Sequence, residues 1–296
     1  MSVPKKKVEE ILKCIQDLIQ IKPRVKIRVL ARFCGKIIAL KPALGNVTQI
    51  MTRNCFAVIN QRSDWDQYIN LSTCSACIAE LFFWLNNLSL LSPLDLFISD
   101  CSTDFYIFSD ASETGAAGYI VNSPYICHKT WLDHEKVKSS TWREIKAIQL
   151  TLKSFKVLKE CSVTLNTDNQ NAVIIVEKGS KVSELQYLAL DIFKFCKSNS
   201  IILHIQWVPR EQNVQADYLS KIIDVDDSGV SYEFFYFLSE FWGPHTFDRF
   251  ANYDNSKLGI FSSLYWNPGT LAVNAFTCNW DNENNWLVPP VSLAAR

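Results

Sequence analysis

The chain predicts an α/β fold: a mixed five-stranded sheet flanked by helices, preceded by a small all-helical module. Two observations carry that expectation. Near residue 104 the hydrophobic pattern changes from helical spacing to the alternation of strands. From there the elements follow in the order βββαβααβα, which closes as a mixed sheet covered by helices.

The elements follow in chain order. Val8, Ile11, Leu12, Ile15, Leu18 and Ile19 fall on one helical face, so residues 5–20 form a helix that Pro23 ends. Further helices are expected over 25–40 and 47–59, and one from an N-cap at Ser72 through Ile78, Leu81, Phe82 and Leu85. Residues 86–93, closing on Pro93, read as a boundary. Strands follow at 105–110, 117–121 and 125–131, with a Gly-containing turn at 112–115. A helix over 141–156 puts Ile145, Ile148, Leu152 and Phe155 on one face. A strand at 162–166, helices at 172–177 and 183–197, a strand at 201–208 and a short helix at 214–221 complete the set. Beyond residue 222 only 232–241 shows a helical period, in a stretch rich in Trp, Phe and Asn.

At 296 residues the chain is long enough for two domains. No apolar run approaches the roughly 18 residues that span a bilayer, so no membrane segment is expected. The start, MSVPKKKVEE, lacks the apolar stretch of a signal peptide. Ten cysteines are scattered along the chain, which suits a reducing, intracellular compartment, cytoplasm or nucleus. Cys74 and Cys77 form the one close pair; without a second pair or nearby histidines, core packing explains them better than zinc.

A net charge of zero hides an asymmetry. Residues 1–62 hold 13 Lys/Arg against 3 Asp/Glu, residues 63–222 hold 14 against 18, and residues 223–296 hold 3 against 9. A basic N-terminal third can track phosphates, or simply carry solvated lysines, and an acidic middle can hold cations.

Four acids stand out on this layout. Asp110 ends the first strand of the sheet and Asp168 ends the fourth. Where those strands are parallel neighbours, their C-terminal ends lie side by side. Glu144 sits in the first turn of the following helix, and Asp217 early in the last one. Alone, each would read as a turn or cap residue. Together they would repel strongly unless cations neutralise them. Mg²⁺ prefers carboxylate oxygens and keeps waters for chemistry. Two such ions about 4 Å apart activate a water and stabilise the leaving oxygen of a phosphodiester.

The segments FSDASETGAAGYI (108–120), WREIKAIQLTL (142–152), TLNTDNQNAVIIV (164–176) and WVPREQNVQADYLSK (207–221) resemble the four signature blocks of type 1 RNase H domains. The last block is closest to retrotransposon polymerases. The resemblance spans about 104–222. Residues 4–89 resemble the thumb and connection of a reverse transcriptase. The stretch 241–280, with PPVSL at 289–293, resembles the extension found in DIRS-type, tyrosine-recombinase retrotransposons. The implied division is a thumb/connection-like module at 1–97, an RNase H-like domain at 98–222 and an extension at 223–296.

That resemblance implies cleavage of the RNA strand of an RNA–DNA hybrid with two Mg²⁺ ions, for which Mn²⁺ can substitute. Asp110 would bridge both ions, Asp217 would help hold the one that activates water, and Glu144 and Asp168 would hold the one at the leaving group. Gln170 would read the minor groove of the hybrid, with Ser112 and Asn169 as further nucleic-acid contacts. Contacts to 2′-hydroxyls distinguish RNA from DNA. Trp131, Trp142 and Trp207 are expected in the core rather than stacked on nucleic acid.

The chain departs from the pattern in two ways. The loop histidine of many RNases H is absent from Pro209–Gln212, and His204 reads as a structural or surface residue. No paired-aspartate polymerase motif is present, so no DNA synthesis is expected, and a palm-containing reverse-transcriptase portion is the expected partner. The chain therefore reads as part of a larger polyprotein, either an active ribonuclease or a remnant that binds nucleic acid without turnover. PKKKV at 4–8 reads as an exposed basic helix start rather than a nuclear-import signal. Lys5, Lys6, Lys7 and Lys13 are the expected grip on the duplex. Neutralising all four should weaken binding of an RNA–DNA hybrid and flatten its salt dependence, read by fluorescence anisotropy against ionic strength.

Overall fold

The computed structural model describes residues 3–20, 24–91, 102–223 and 229–293. The chain divides into two compact units. One comprises residues 1–101 with 174–193, the other 102–173 with 194–296. The expected boundary at 97/98 lies outside the described residues.

The first unit opens with α1 (Lys5–Gln20), whose buried residues Ile11, Ile15 and Leu18 follow the predicted stripe. Residues 25–40 were expected to be one helix. Instead β1 (Arg24–Lys26) precedes α2 (Ile27–Ile38). β1 pairs antiparallel with β2 (Tyr68–Asn70), setting Val25 opposite Ile69. β-Branched residues favour that pairing, which short-range periodicity cannot reveal. The module is thus not wholly helical.

After α3 (Lys41–Leu44), the helix expected over 47–59 is split into α4 (Val47–Ile50) and α5 (Arg53–Asn60). The Thr52 hydroxyl donates back to the Thr48 carbonyl at 2.8 Å, and this local bond competes with helix continuation. Ser72 is not an N-cap. Asn70 accepts from the Ser72 N–H to open a short 3₁₀ turn, and α6 (Ser75–Asn87) begins after it.

Glu80 of α6 is buried, yet satisfied: its carboxylate accepts from the Asn54 and Cys55 backbone N–H groups, each at 2.9 Å. It thereby serves the unpaired amides at the start of α5. Trp84 is also buried and donates to the Met51 carbonyl at 2.8 Å. Cys77 packs in this core with its Sγ 3.4 Å from Cys55 Sγ, in keeping with a packing role for the close cysteine pair.

The second unit is built on a five-stranded sheet. Its strands are β3 (Phe105–Ala111), β4 (Gly115–Ile120), β5 (Ile126–Thr130), β6 (Ser162–Thr167) and β7 (Ile202–Trp207), in spatial order β5-β4-β3-β6-β7. β3 pairs in parallel with β6, β6 in parallel with β7, and β4 antiparallel with both neighbours. This is the mixed sheet of an RNase H-like fold. The helices are α7 (Asp133–Lys136), α8 (Ser140–Ser154), α9 (Gln170–Lys178), α10 (Ser183–Ser198) and α11 (Val214–Ser220). The chain passes to the first unit within α9 and returns within α10.

Residues 229–293 belong to the second unit. They form α12 (Tyr232–Trp242) and four two-residue strands: β8 (Phe247–Asp248), β9 (Ser262–Ser263), β10 (Ala272–Val273) and β11 (Asn285–Trp286). This segment covers the outer edge of β5. The Trp266 N–H donates to the Ile126 carbonyl at 2.9 Å, and its ring stacks on Tyr125. Lys129 of β5 is buried between Glu135 at 2.8 Å and Asp254 at 3.2 Å.

α8 lies close over β3 and β4 because Gly118 has no side chain. A Cβ there would stand 2.2 Å from Thr151 Oγ1, and the neighbouring Thr151 is fully buried. Gly118→Ala should therefore destabilise the chain by about 2–3 kcal/mol through overpacking. Thr151→Ala in the same chain should restore part of that loss, measured by urea unfolding.

Candidate active site

β3 and β6 run in parallel with Phe108 opposite Asn166, so Asp110 and Asp168 each lie two residues further toward the same end of the sheet. Ser139 caps α8 by accepting from the Trp142 N–H, which starts the helix at Ser140 and puts Glu144 one turn in. A carboxylate oxygen from each of Asp110, Glu144 and Asp168 lies within 4.8 Å of the other two. Asp110 and Glu144 are buried; Asp168 is half-buried.

Asp217 stands in the first turn of α11 but outside that close set. Its oxygens are taken by Arg210 Nη2 at 2.9 Å and Lys221 Nζ at 2.6 Å. Its charge nevertheless reaches Asp110 and Asp168.

Sequence reasoning did not single out the residues that stitch α11 to β3. Asn213, before the helix, donates to the Ser109 carbonyl at 3.2 Å and to Asp110 Oδ1 at 3.3 Å. Ser220, at its end, donates to Asp110 Oδ2 at 2.7 Å. The Ser220 carbonyl accepts in turn from the Ser112 hydroxyl at 2.6 Å. The signal was present as the N-x-x-AD-x-LS spacing, but a spacing does not say which strand a helix docks on.

The electrostatics follow from burial and crowding. Burial pushes the Asp110 carboxyl up to about 6, with Asp168 and Asp217 adding to the rise and the Ser220 hydroxyl opposing it. Burial, then Asp110 and Asp168, push Glu144 up to about 9. Asp168 is raised by burial, against the nearby Arg210. Asp217 is held below its ordinary value, chiefly by its hydrogen bond from Lys221.

The donor set suits a hard divalent cation, being all carboxylate oxygen. Glu144 Oε2 is buried and has no hydrogen-bond partner among the described residues. A buried carboxylate oxygen left unpaired is destabilising, and a cation at the cluster would satisfy it.

The other expected site residues fall as follows. Gln170 is exposed at the start of α9. Asn169 accepts from the Ala172 N–H at 3.0 Å, a helix-capping bond. Ser112 shapes the β3–β4 turn, accepting from the Thr114 and Gly115 N–H groups, each at 3.1 Å. Lys5, Lys6, Lys7 and Lys13 are exposed on α1, in the other unit. Trp131 is buried and Trp142 half-buried, but the expectation of a core position fails for Trp207. The residue is 45% exposed, and its Nε1 donates to the Asp168 carbonyl at 3.0 Å. Trp207 shares a face with buried Ile205, but it is the last residue of β7, an edge strand.

A family model described as reverse transcriptase-like matches residues 107–222. A comparison with curated proteins returns no match. Similar solved structures include LC11-RNase H1 in complex with an RNA/DNA hybrid, at 18% identity and TM-score 0.34, covering 39% of this chain and 92% of that one. RNase H1 from Halobacterium salinarum is similar at 17% identity and TM-score 0.33, with coverage of 39% and 92%. The foamy viral protease-reverse transcriptase in complex with an RNA/DNA hybrid is similar at 9% identity and TM-score 0.29, covering 78% of this chain and 30% of that one. These likenesses are distant, and the fold assignment rests on the sheet order and register. Among the described residues, no helix is long and apolar enough to cross a membrane.

The crowded acids make stability depend on pH. As pH rises from 3.8 toward 6, the unfolded chain loses the Asp110 proton while the folded chain keeps it, so stability falls across that window and stays lower above it. Glu144 acts in the same direction between 4.5 and about 9. Without divalent cations, Asp110→Asn should therefore stabilise the chain at neutral pH by on the order of 2 kcal/mol, and hardly at all below about pH 4. Urea unfolding at a series of pH values in a chelating buffer checks this.

Proposed function

We propose that this chain is a ribonuclease H, hydrolysing the RNA strand of RNA–DNA hybrids endonucleolytically. The observation that carries the reading is the meeting of Asp110, Glu144 and Asp168 from three elements at one end of the sheet, around a buried, unpartnered Glu144 oxygen. Asp110, Glu144, Asp168 and Asp217 would hold two divalent cations, Mg²⁺ by preference and Mn²⁺ as a substitute. Bound there, the cations would activate a water and stabilise the leaving oxygen of the phosphodiester.

The chain's own residues orient the site. Ser220 and Asn213 hold the Asp110 carboxylate in one position. Gln170, exposed at the head of α9, is free to read the minor groove of the hybrid. The exposed lysines of α1 would grip phosphates of a hybrid duplex.

In this reading the chain is a portion of a DIRS-type retrotransposon reverse transcriptase. It comprises a thumb/connection-like module at 1–97, the RNase H-like domain at 98–222 and an extension at 223–296. It would work beside a palm-containing portion, with no polymerase activity of its own. An intracellular setting, cytoplasm or nucleus, fits the free thiols among the described cysteines.

A second reading, a hybrid-binding remnant without turnover, is favoured by the two cations that occupy Asp217. Incubation with a labelled RNA–DNA hybrid and Mg²⁺ or Mn²⁺ decides between them. Cleavage of the RNA strand alone, lost by about a hundredfold or more in Asp110→Asn, Glu144→Gln and Asp168→Asn, is expected of the enzyme. Binding without cutting in either metal would establish the remnant.

A further inference from the structure

Arg210 is a cation beside the acid cluster. Its guanidinium donates to Asp217 Oδ1 at 2.9 Å, and its charge also acts on Asp168 and Asp110. Its side chain is nonetheless 69% exposed. The backbone that carries it is pinned on both sides. The Val208 N–H donates to the Thr167 carbonyl at 2.9 Å, the Trp207 indole to the Asp168 carbonyl at 3.0 Å, and Asn213 to the Ser109 carbonyl at 3.2 Å. A fixed backbone with an exposed side chain lets the guanidinium change partners by side-chain rotation alone.

The partner it holds is weakly held. An exposed ion pair is worth little in water, and Asp217 has a second cation, Lys221 Nζ at 2.6 Å. Any substrate phosphate approaching Asp110, Glu144 and Asp168 meets their repulsion first. A planar guanidinium fork matches two oxygens of one phosphate better than an ammonium group does.

We propose that Arg210 is a substrate-binding residue that exchanges Asp217 for a non-bridging phosphate oxygen of the nucleic-acid backbone, freeing Asp217 as the duplex seats. The inference rests on the ribonuclease reading of the same site. Lys221 remains on α11 as the i+4 partner of Asp217 and does not follow the phosphate.

The test uses the full chain and a fluorescent RNA–DNA hybrid, with affinity measured by anisotropy against salt concentration. Arg210→Gln should weaken binding about tenfold and reduce the slope of log affinity against log salt by about one. Arg210→Lys should keep the slope and lose only part of the affinity, because charge remains without the fork. Lys221→Gln should keep the slope. Calorimetry with Mn²⁺ alone should show tighter metal binding in both Gln variants, since each releases an oxygen of Asp217. Hybrid affinity, salt slope and KM all unchanged in Arg210→Gln would overturn the proposal while leaving the ribonuclease reading intact if the wild type cuts. A wild type that binds hybrid without cutting, but still loses slope in Arg210→Gln, would keep the phosphate contact and remove the enzyme. A wild type that binds no hybrid overturns both.

Discussion

Three carboxylates within 4.8 Å of one another repel, and the architecture of the second unit opposes that repulsion. Each acid comes from a different rigid element: Asp110 from β3, Glu144 from α8 and Asp168 from the end of β6. Their backbones are held in place by these elements, so relief of the repulsion is left to side-chain rotation, protonation or a cation. Burial first, and then the repulsion that remains, raise the proton affinities of Asp110 and Glu144. Such local frustration is expected where a site is built for a charged ligand rather than for stability.

The elements around the cluster keep it in register. Gly118 admits α8 against the sheet, because a side chain there would collide with Thr151 and move Glu144 with its helix. α11 is held at both ends on Asp110, through Asn213 and Ser220. The β3–β4 turn then closes on the same helix end, where the Ser112 hydroxyl meets the Ser220 carbonyl. One serine therefore ties together an acid, a turn and a helix terminus.

The C-terminal segment extends this support to the far side of the sheet. Exposed edge strands invite pairing with other chains, and native proteins cover them. Trp266 covers β5 with a backbone hydrogen bond and a stacked ring, and Asp254 shares the buried Lys129 with Glu135. Buried ion pairs are strongly destabilised when one partner is removed, which couples residues 229–293 to the sheet. Within the segment, Asn285 Oδ1 and the Asn279 carbonyl accept from buried Arg249, and the Phe247 ring lies 3.6 Å from its guanidinium carbon.

Local pattern determined much of this protein. The helical stripe of α1, the strands of the sheet and the helix carrying Glu144 all follow from the spacing of apolar residues, because burial on one face leaves a periodic signature. The approach of Asp110 and Asp168 was expected only for parallel neighbouring strands, a condition that the pairing of β3 with β6 meets. Where the sequence misled, the deciding feature was long-range or competed with the pattern: β1 exists because β2 pairs with it, α4 ends where Thr52 bonds back to Thr48, and Trp207 is exposed at the end of an edge strand although Ile205 on the same face is buried. Only the tertiary structure decided that Asn213 and Ser220 hold Asp110, that Arg210 and Lys221 occupy Asp217, and that residues 229–293 close over β5. Those contacts join residues far apart in sequence or depend on side-chain direction, and neither leaves a trace in local spacing.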